Sequence, residues 1–247
     1  LSYDNKLLNC FLFRVINKSQ TFDIFNGPID FFNTDINLID KNIRKLLIAK
    51  ELTAPNYVFF SAAYILGGPK VNFGKYIEQI EGKVETNMVI RMIKFVFYNQ
   101  QSIINGIFNA TSQNDVYKHL CSFSGIGKFL AYQIFIDFTY IDEFRFTEHN
   151  FVISGPGCER GLNWIFNDRN GMTSEECLFW FTLNQHKIAK DYNIDWDTDK
   201  IFKFLDKQDR VYTLMDMENS GACEIDKRCR TLFNNKRPKQ IYRNKTE

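Results

Sequence analysis

Apolar residues recur at helical spacing along most of the chain, and this pattern predicts a mostly α protein. In residues 4–18 the apolar positions Leu7, Leu8, Phe11, Leu12 and Val15 fall on one face of a helix. We predict further helices at 40–51, 76–80, 84–98 and 100–110. The apolar run 58–66 fits either a buried helix or a strand, and we assign it as a helix because most of its neighbours are helical.

The last predicted helix, about 210–232, places a carboxylate among apolar residues. Met215, Glu218, Ala222 and Ile225 share one stripe, and Asp216 lies on the neighbouring stripe. A charged carboxyl beside apolar groups is unfavourable, so we expect Glu218 to have a perturbed pKa. Two uses stay open: a role in catalysis or substrate binding, or a buried pair with Arg14 or Arg160. Earlier in this half, Thr173 and Glu176 match a capping box, and a short helix is expected at 199–207.

Residues 119–135 contain a Gly-x-Gly sequence, Gly125-Ile126-Gly127, followed by a helical pattern. We expect a hairpin of two helices whose second helix begins with unpaired backbone N–H groups. These groups and the helix dipole favour an anion such as a DNA phosphate, with Lys128 as an added charge. The alternative is an ordinary glycine turn between two packed helices. The expected DNA-backbone contacts are Ser124, Gly125, Ile126, Gly127 and Lys128, with Arg160 from the second half.

Composition limits the other options. The 247 residues carry a net charge of +2, so DNA binding requires a local basic face and not a bulk charge. Six cysteines and three histidines lack the spacing of a zinc site, and we expect no metal and reduced thiols in an intracellular, cytoplasmic protein. We expect no membrane span, because no long apolar run occurs. The tail from about 234 is strongly basic and fits either a DNA contact or a disordered end.

Four residues of the first helix form a polar and aromatic group. Asn9, Phe13 and Asn17 follow each other at i, i+4 and i+8, and Arg14 lies beside them. Amides and an arginine on a largely apolar helix can bind a base edge or a phosphate. The alternative is that they cap turns or face solvent.

The hairpin is followed by Glu148-His149-Asn150 and by Gly155-Pro156-Gly157. This order resembles that of helix-hairpin-helix DNA glycosylases, in which a catalytic loop carrying an acid follows the hairpin. The resemblance implies one helical glycosylase-like domain over 1–247. Phe129 stands where bifunctional members carry a lysine, so a Schiff-base lyase is not expected.

A narrower resemblance is to the alpha-glutamyl/putrescinyl thymine pyrophosphorylase family, which is related to the helical domain of 5-hydroxymethyluracil DNA kinases. It is carried by three blocks in order: Leu8–Asn17 with Thr21, the hairpin with 146–157, and Asp216–Lys227 with the basic tail. The family implies DNA with elaborated pyrimidines, as in some phages, and a phage or bacterial origin. Here the loop reads Glu-His-Asn-Phe-Val where Glu-Asn-Asp-Phe-Val is usual, which puts a role for an aspartate there in doubt.

Three functions fit these residues. The first is a glycosylase that flips out and excises a modified pyrimidine, leaving an abasic site. Glu148 and Glu218 would serve as catalytic carboxylates, with Asp216 as a further acid and Asn150 positioning water, while Asn9, Phe13, Arg14 and Asn17 bind the base. The second is a transferase that displaces pyrophosphate from activated hydroxymethyluracil with an amine, and the third is a non-catalytic DNA-binding module. We expect no cofactor, and leave open a monovalent cation at the hairpin.

Overall fold

The computed structural model describes residues 1–61, 67–194 and 212–234, and within these ranges the chain is helical without a strand. The prediction of a mostly α protein is therefore confirmed. The chain divides into two compact units, 1–147 and 148–247, and each is described by itself. The helix-hairpin-helix glycosylase fold, and the assignment of both units to one such domain, stay predictions.

The first unit contains α1 (Tyr3–Ile16), α2 (Ser19–Ile24), α3 (Ile36–Thr53), α4 (Gly67–Glu81), α5 (Met88–Asn109), α6 (Gln113–Ser122) and α7 (Lys128–Phe138). The second contains α8 (Pro156–Ile165), α9 (Ser174–Asp191), α10 (Leu214–Asp216), a π-helical segment (Met217–Cys223) and α11 (Glu224–Asn234). We call Met217–Cys223 the π segment. No described helix is both long and apolar enough to cross a membrane.

Helix α1 shows how the first unit is built. The Ser2 hydroxyl caps its start by accepting from the Asn5 N–H at 3.3 Å. The predicted apolar stripe is confirmed, because Leu7, Leu8 and Phe11 are fully buried. The helix packs against α5 and α7 through this face. Burying such a face stabilises a short helix far more than its intrinsic propensity does.

Several predicted boundaries were wrong. Helix α1 ends at Ile16 and not at 18, because Asn17 takes a left-handed conformation with φ 52°. The predicted helices at 84–98 and 100–110 form one helix, α5. The described part of the run 58–66 is not helical, and the rest of that run lies outside the described residues, as do the predicted helix at 199–207 and the basic tail after 234.

A buried charge network joins α3, α4 and α5. The Lys94 ammonium lies 2.9 Å from Glu81 and 3.1 Å from Asp40, and only 5% of its side chain is exposed. Glu85 and Arg44 complete the network. A buried lysine is tolerated only where carboxylates compensate its lost hydration, so this network fixes how the three helices meet.

Candidate functional site

The predicted hairpin is present between α6 and α7. Gly125 has φ 96°, a conformation that favours glycine, and the Ile126 N–H donates to the Phe123 carbonyl at 2.9 Å. Gly127 precedes α7, and no side chain caps this helix start. Lys128 and Phe129 are exposed beside it. The hairpin thus has the local geometry of an anion site, and DNA binding by Ser124–Lys128 stays a prediction.

His119 of α6 connects the hairpin to α5. Its Nε2 lies 3.0 Å from the Ser102 carbonyl oxygen, and its ring meets Phe123 edge-on. A Cβ added at Gly106 would overlap the His119 ring, so α5 leaves space for this side chain only because Gly106 has none. The sequence analysis placed His119 at the start of the hairpin region but did not connect it with Gly106.

The amides of α1 are engaged in the fold. Asn9 is 8% exposed, and its Nδ2 donates to the Asn5 and Ile29 carbonyls at 2.8 and 2.7 Å. Its Oδ1 accepts from the Ile29 N–H at 2.8 Å, so Asn9 holds the chain after α2 as a neighbouring strand would. Asn17 ends α1 by donating its backbone N–H to the Phe13 carbonyl. A role for Asn9 and Asn17 in base binding stays a prediction.

Arg14 is paired with an aspartate of α7. Its Nε donates to Asp137 Oδ2 at 2.6 Å and its second nitrogen to Oδ1, a bidentate arrangement. Burial raises the pKa of Asp137, and the Arg14 guanidinium only partly offsets this. The neighbouring Phe13, 36% exposed, packs against Phe22 with ring centroids 5.3 Å apart. Base binding by Phe13 and Arg14 likewise stays a prediction.

The loop that carries Glu148, His149 and Asn150 opens the second unit as a turn. The Glu148 carbonyl accepts from the Met215 N–H at 3.4 Å, which links the loop to the start of α10. The Glu148 side chain is half-buried and Asn150 is exposed. Both side chains are therefore accessible to a ligand of this unit.

Glu218 is the most chemically unusual of the predicted residues. It is 5% exposed and lies in the π segment, a distortion that occurs often at functional sites. Its Oε1 accepts from the Gly155 N–H at 3.3 Å and lies 3.6 Å from the Cys223 sulfur. Burial raises the pKa of the Glu218 carboxyl, and these two hydrogen bonds only partly offset it. The expected perturbation is confirmed.

The remaining two candidates have structural partners. Asp216 forms a capping box with Thr213, whose hydroxyl accepts from the Asp216 N–H at 3.1 Å. Arg160 pairs with Asp226 at 2.9 Å, and not with Glu218 as one interpretation expected. Half of the Arg160 side chain is exposed, so its guanidinium can also reach a ligand. Catalysis by Asp216 and DNA binding by Arg160 are not tested by these contacts.

Sequence reasoning missed the contacts that shape Glu218 and Arg14. Gly155 and Cys223 lay inside the quoted motifs without an assigned role, and Asp137 was not considered. A carboxylate in the largely apolar sequence of α7 was the available signal for Asp137. Among the described residues, no three metal-binding side chains cluster in a way that could hold an ion.

Comparison with known proteins shows the family to which the chain belongs. Residues 1–237 match the family described as the helical domain of 5-hmdU DNA kinase. The 5-hmdU DNA kinase of Bacillus phage SP10 is 24% identical over 192 residues, which cover 73% of this chain and 29% of the phage protein. The chain therefore spans less than a third of that relative. No solved structure matches. The resemblance to the kinase helical domain is confirmed, whereas the link to DNA glycosylases is not shown.

Proposed function

The chain belongs to the family of 5-hmdU DNA kinase helical domains, and from this we propose that it acts on DNA containing 5-hydroxymethyldeoxyuridine. The reaction proposed is replacement of the activated 5-substituent by an amine, with the glycosidic bond left intact. The observation that carries the chemistry is Glu218, a buried carboxyl that no described cationic side chain neutralises. Among the residues that the structure describes, we take it as the carboxyl best suited to remove a proton.

We propose modification of the base in place of the base excision that the order of the sequence motifs favours. The phage relative is a 5-hmdU DNA kinase, and phosphorylation modifies the base and does not remove it. An ester of the 5-hydroxymethyl group is the species that an amine can displace. We therefore assign to this chain the step in which an amine displaces the ester group from the modified base.

The proposed step is a substitution at the 5-methylene carbon of the base. The amine nitrogen forms a bond to the 5-methylene carbon, and the bond from that carbon to the ester oxygen breaks. The bonding electron pair leaves with pyrophosphate, and the proton released from nitrogen passes to the Glu218 carboxylate. A raised pKa makes Glu218 a stronger base than an exposed glutamate, at the cost of a larger protonated fraction at acidic pH.

Cations are needed to hold the departing pyrophosphate. Arg160 suits this role within the second unit, because its Nε faces Asp226 while half of the side chain is exposed. Arg14 suits it less well, since both sides of its guanidinium fork are bound to Asp137. The hairpin with Lys128 contributes contacts to the DNA backbone that do not depend on base sequence.

Product analysis tests this proposal. Duplexes carrying thymine, 5-hmdU or its 5-pyrophosphate ester would be incubated with the chain and an amine such as putrescine, then digested to nucleosides. The proposal predicts a nucleoside with the amine in place of pyrophosphate, formed from the ester alone. Alkali-labile abasic sites would instead establish excision, and binding without any product would establish a non-catalytic module.

A further inference from the structure

The second unit contains a cavity of about 210 Å³ beside the π segment. Its lining is mostly apolar and includes the rings of Phe181 and Tyr212. Gln185 fixes Tyr212 in place, because its amide accepts from the Tyr212 N–H at 3.0 Å and donates to the Tyr212 carbonyl at 3.1 Å. The backbone of one aromatic residue in the lining is therefore fixed by two hydrogen bonds.

A second, polar space of about 380 Å³ shares Ser220 with this cavity, since that residue lines both. Lys227 and Arg228 line it together with Glu224. Glu224 pairs with both cations, at 3.3 Å to Lys227 and 3.5 Å to Arg228. The side chain of Arg228 is 75% exposed and those of Lys227 and Glu224 are 45% and 38% exposed. Ion pairs at such a surface are weak, so both cations can turn toward a ligand. Two cations and one carboxylate leave a net positive charge that favours an anion.

We infer that these two spaces together bind a pyrimidine nucleotide, with its ring in the apolar cavity and its phosphate at Lys227 and Arg228. Aromatic walls stack well on a nucleobase, and arginine and lysine are the usual partners of phosphate. The cavity is smaller than the roughly 300–1,000 Å³ that drug-sized ligands occupy, so it suits a single substituted ring. Because Ser220 lines both spaces, it would contact the part of the nucleotide that connects the ring to the phosphate.

The same chemistry has two sources, a free nucleotide or a nucleotide extruded from a DNA strand. The second source rests on the proposed function, and it would make this cavity the pocket for the flipped base. Glu218 and Ser220 belong to the same π segment. A ligand in the cavity would therefore contact the segment that carries the buried Glu218 carboxyl.

Calorimetric titration of the full chain tests the free-nucleotide source. The probes are 5-hydroxymethyl-dUMP, the same nucleoside without phosphate, and inorganic phosphate. Lys227→Ala and Arg228→Ala should each weaken nucleotide binding roughly tenfold and leave nucleoside binding unchanged. Glu224→Gln should strengthen nucleotide binding, because it removes the competing carboxylate. Lys187→Ala, which removes an exposed lysine of α9 outside the cavity, is the matched control and should change nothing.

The strand source is tested with a duplex in which 5-hmdU faces an abasic position and is therefore easily extruded. Ser220→Trp places a large ring at the junction of the two spaces and should abolish binding of whichever source is correct. Loss of free-nucleotide binding alone assigns the site to a free nucleotide, and loss of duplex binding alone assigns it to the strand. Unchanged binding of both probes in Ser220→Trp and in the two cation variants overturns the inference. Amine transfer at an unchanged rate in Ser220→Trp would refute the strand source while leaving the proposed function intact.

Discussion

Gly161 of α8 lies directly against the carbonyl oxygen of Ala222 in the π segment, so the two elements approach each other backbone to backbone. A Cβ at Gly161 would overlap that oxygen, and neither backbone can move aside as a flexible side chain could. Gly161→Ala should therefore lower the free energy of unfolding by about 3 kcal/mol, the upper end of what overpacking usually costs. Urea denaturation measures this change.

The matched control for that experiment is Gly127→Ala. Gly127 has φ −78°, and a Cβ there would meet no atom within 4 Å. Its stability should stay within about 0.5 kcal/mol of the natural protein. Equal stability of the two variants would show that α8 can separate from the π segment without cost, contrary to the packing described.

Gly127→Ala also tests the hairpin as a DNA contact. If the backbone at the start of α7 meets a phosphate, the added methyl group holds the DNA away and weakens binding, although the fold is unchanged. Anisotropy titration of a labelled duplex at several salt concentrations would show lower affinity and a shallower salt dependence, as expected for a lost phosphate contact. Affinity and salt slope equal to those of the natural protein would exclude the hairpin from the DNA interface.

Substitutions at Arg14 and Asp137 can separate a structural role of Arg14 from a role in DNA binding. Arg14→Met removes one partner of a largely buried pair and leaves the other charge uncompensated, which should cost about 3 kcal/mol in unfolding free energy. Adding Asp137→Leu should recover most of that stability, since two apolar side chains need no charge partner. Thermal unfolding of the two variants provides the comparison.

DNA binding by the same double variant then decides what Arg14 does. A restored fold with weak binding to 5-hmdU DNA would support contact of Arg14 with the base or phosphate. A restored fold with full binding would assign Arg14 to the structure alone and contradict its place among the predicted base-binding residues.

Glu218→Gln should stabilise the protein at neutral pH. A carboxyl whose pKa is raised by folding contributes stability below its unfolded pKa, and this contribution is lost as the pH rises through the folded pKa. The glutamine variant has no such loss, so its melting temperature should match the natural protein near pH 4 and exceed it increasingly toward pH 8. Glu51→Gln, which changes an exposed glutamate of α3 in the same way, is the matched control. If the stability of Glu218→Gln relative to the natural protein decreased from pH 4 to pH 8, the raised pKa of Glu218 would be contradicted.

Local features of this chain could be predicted from its sequence because they depend on neighbouring residues. Helical spacing identified the buried face of α1, Gly125 and Gly127 identified the hairpin, and Thr173 with Glu176 identified the start of α9. Turn capping by Asn17 was only the alternative interpretation, and the predicted helix ran to 18, since asparagine is also acceptable within a helix and only φ distinguishes the two cases.

Contacts between distant residues could not be predicted in the same way. Helical periodicity says which face a residue occupies but not which side chain it meets, so Asp137 was not expected opposite Arg14. The π segment was missed because its wider turn changes the spacing from which the stripes of 210–232 were assigned. Met217, which lay outside those stripes, is buried beside Glu218 in this segment.

The most direct test of the account is the mass of the nucleosides released from DNA that carries the 5-pyrophosphate ester of 5-hmdU, after incubation with putrescine and either the natural chain or Glu218→Gln. If Glu218 removes the proton from the amine, the natural chain should form the amine-substituted nucleoside at a rate that falls as acid protonates Glu218, and the variant should form none above background. An abasic product, or equal yields of the substituted nucleoside from both proteins, would contradict it.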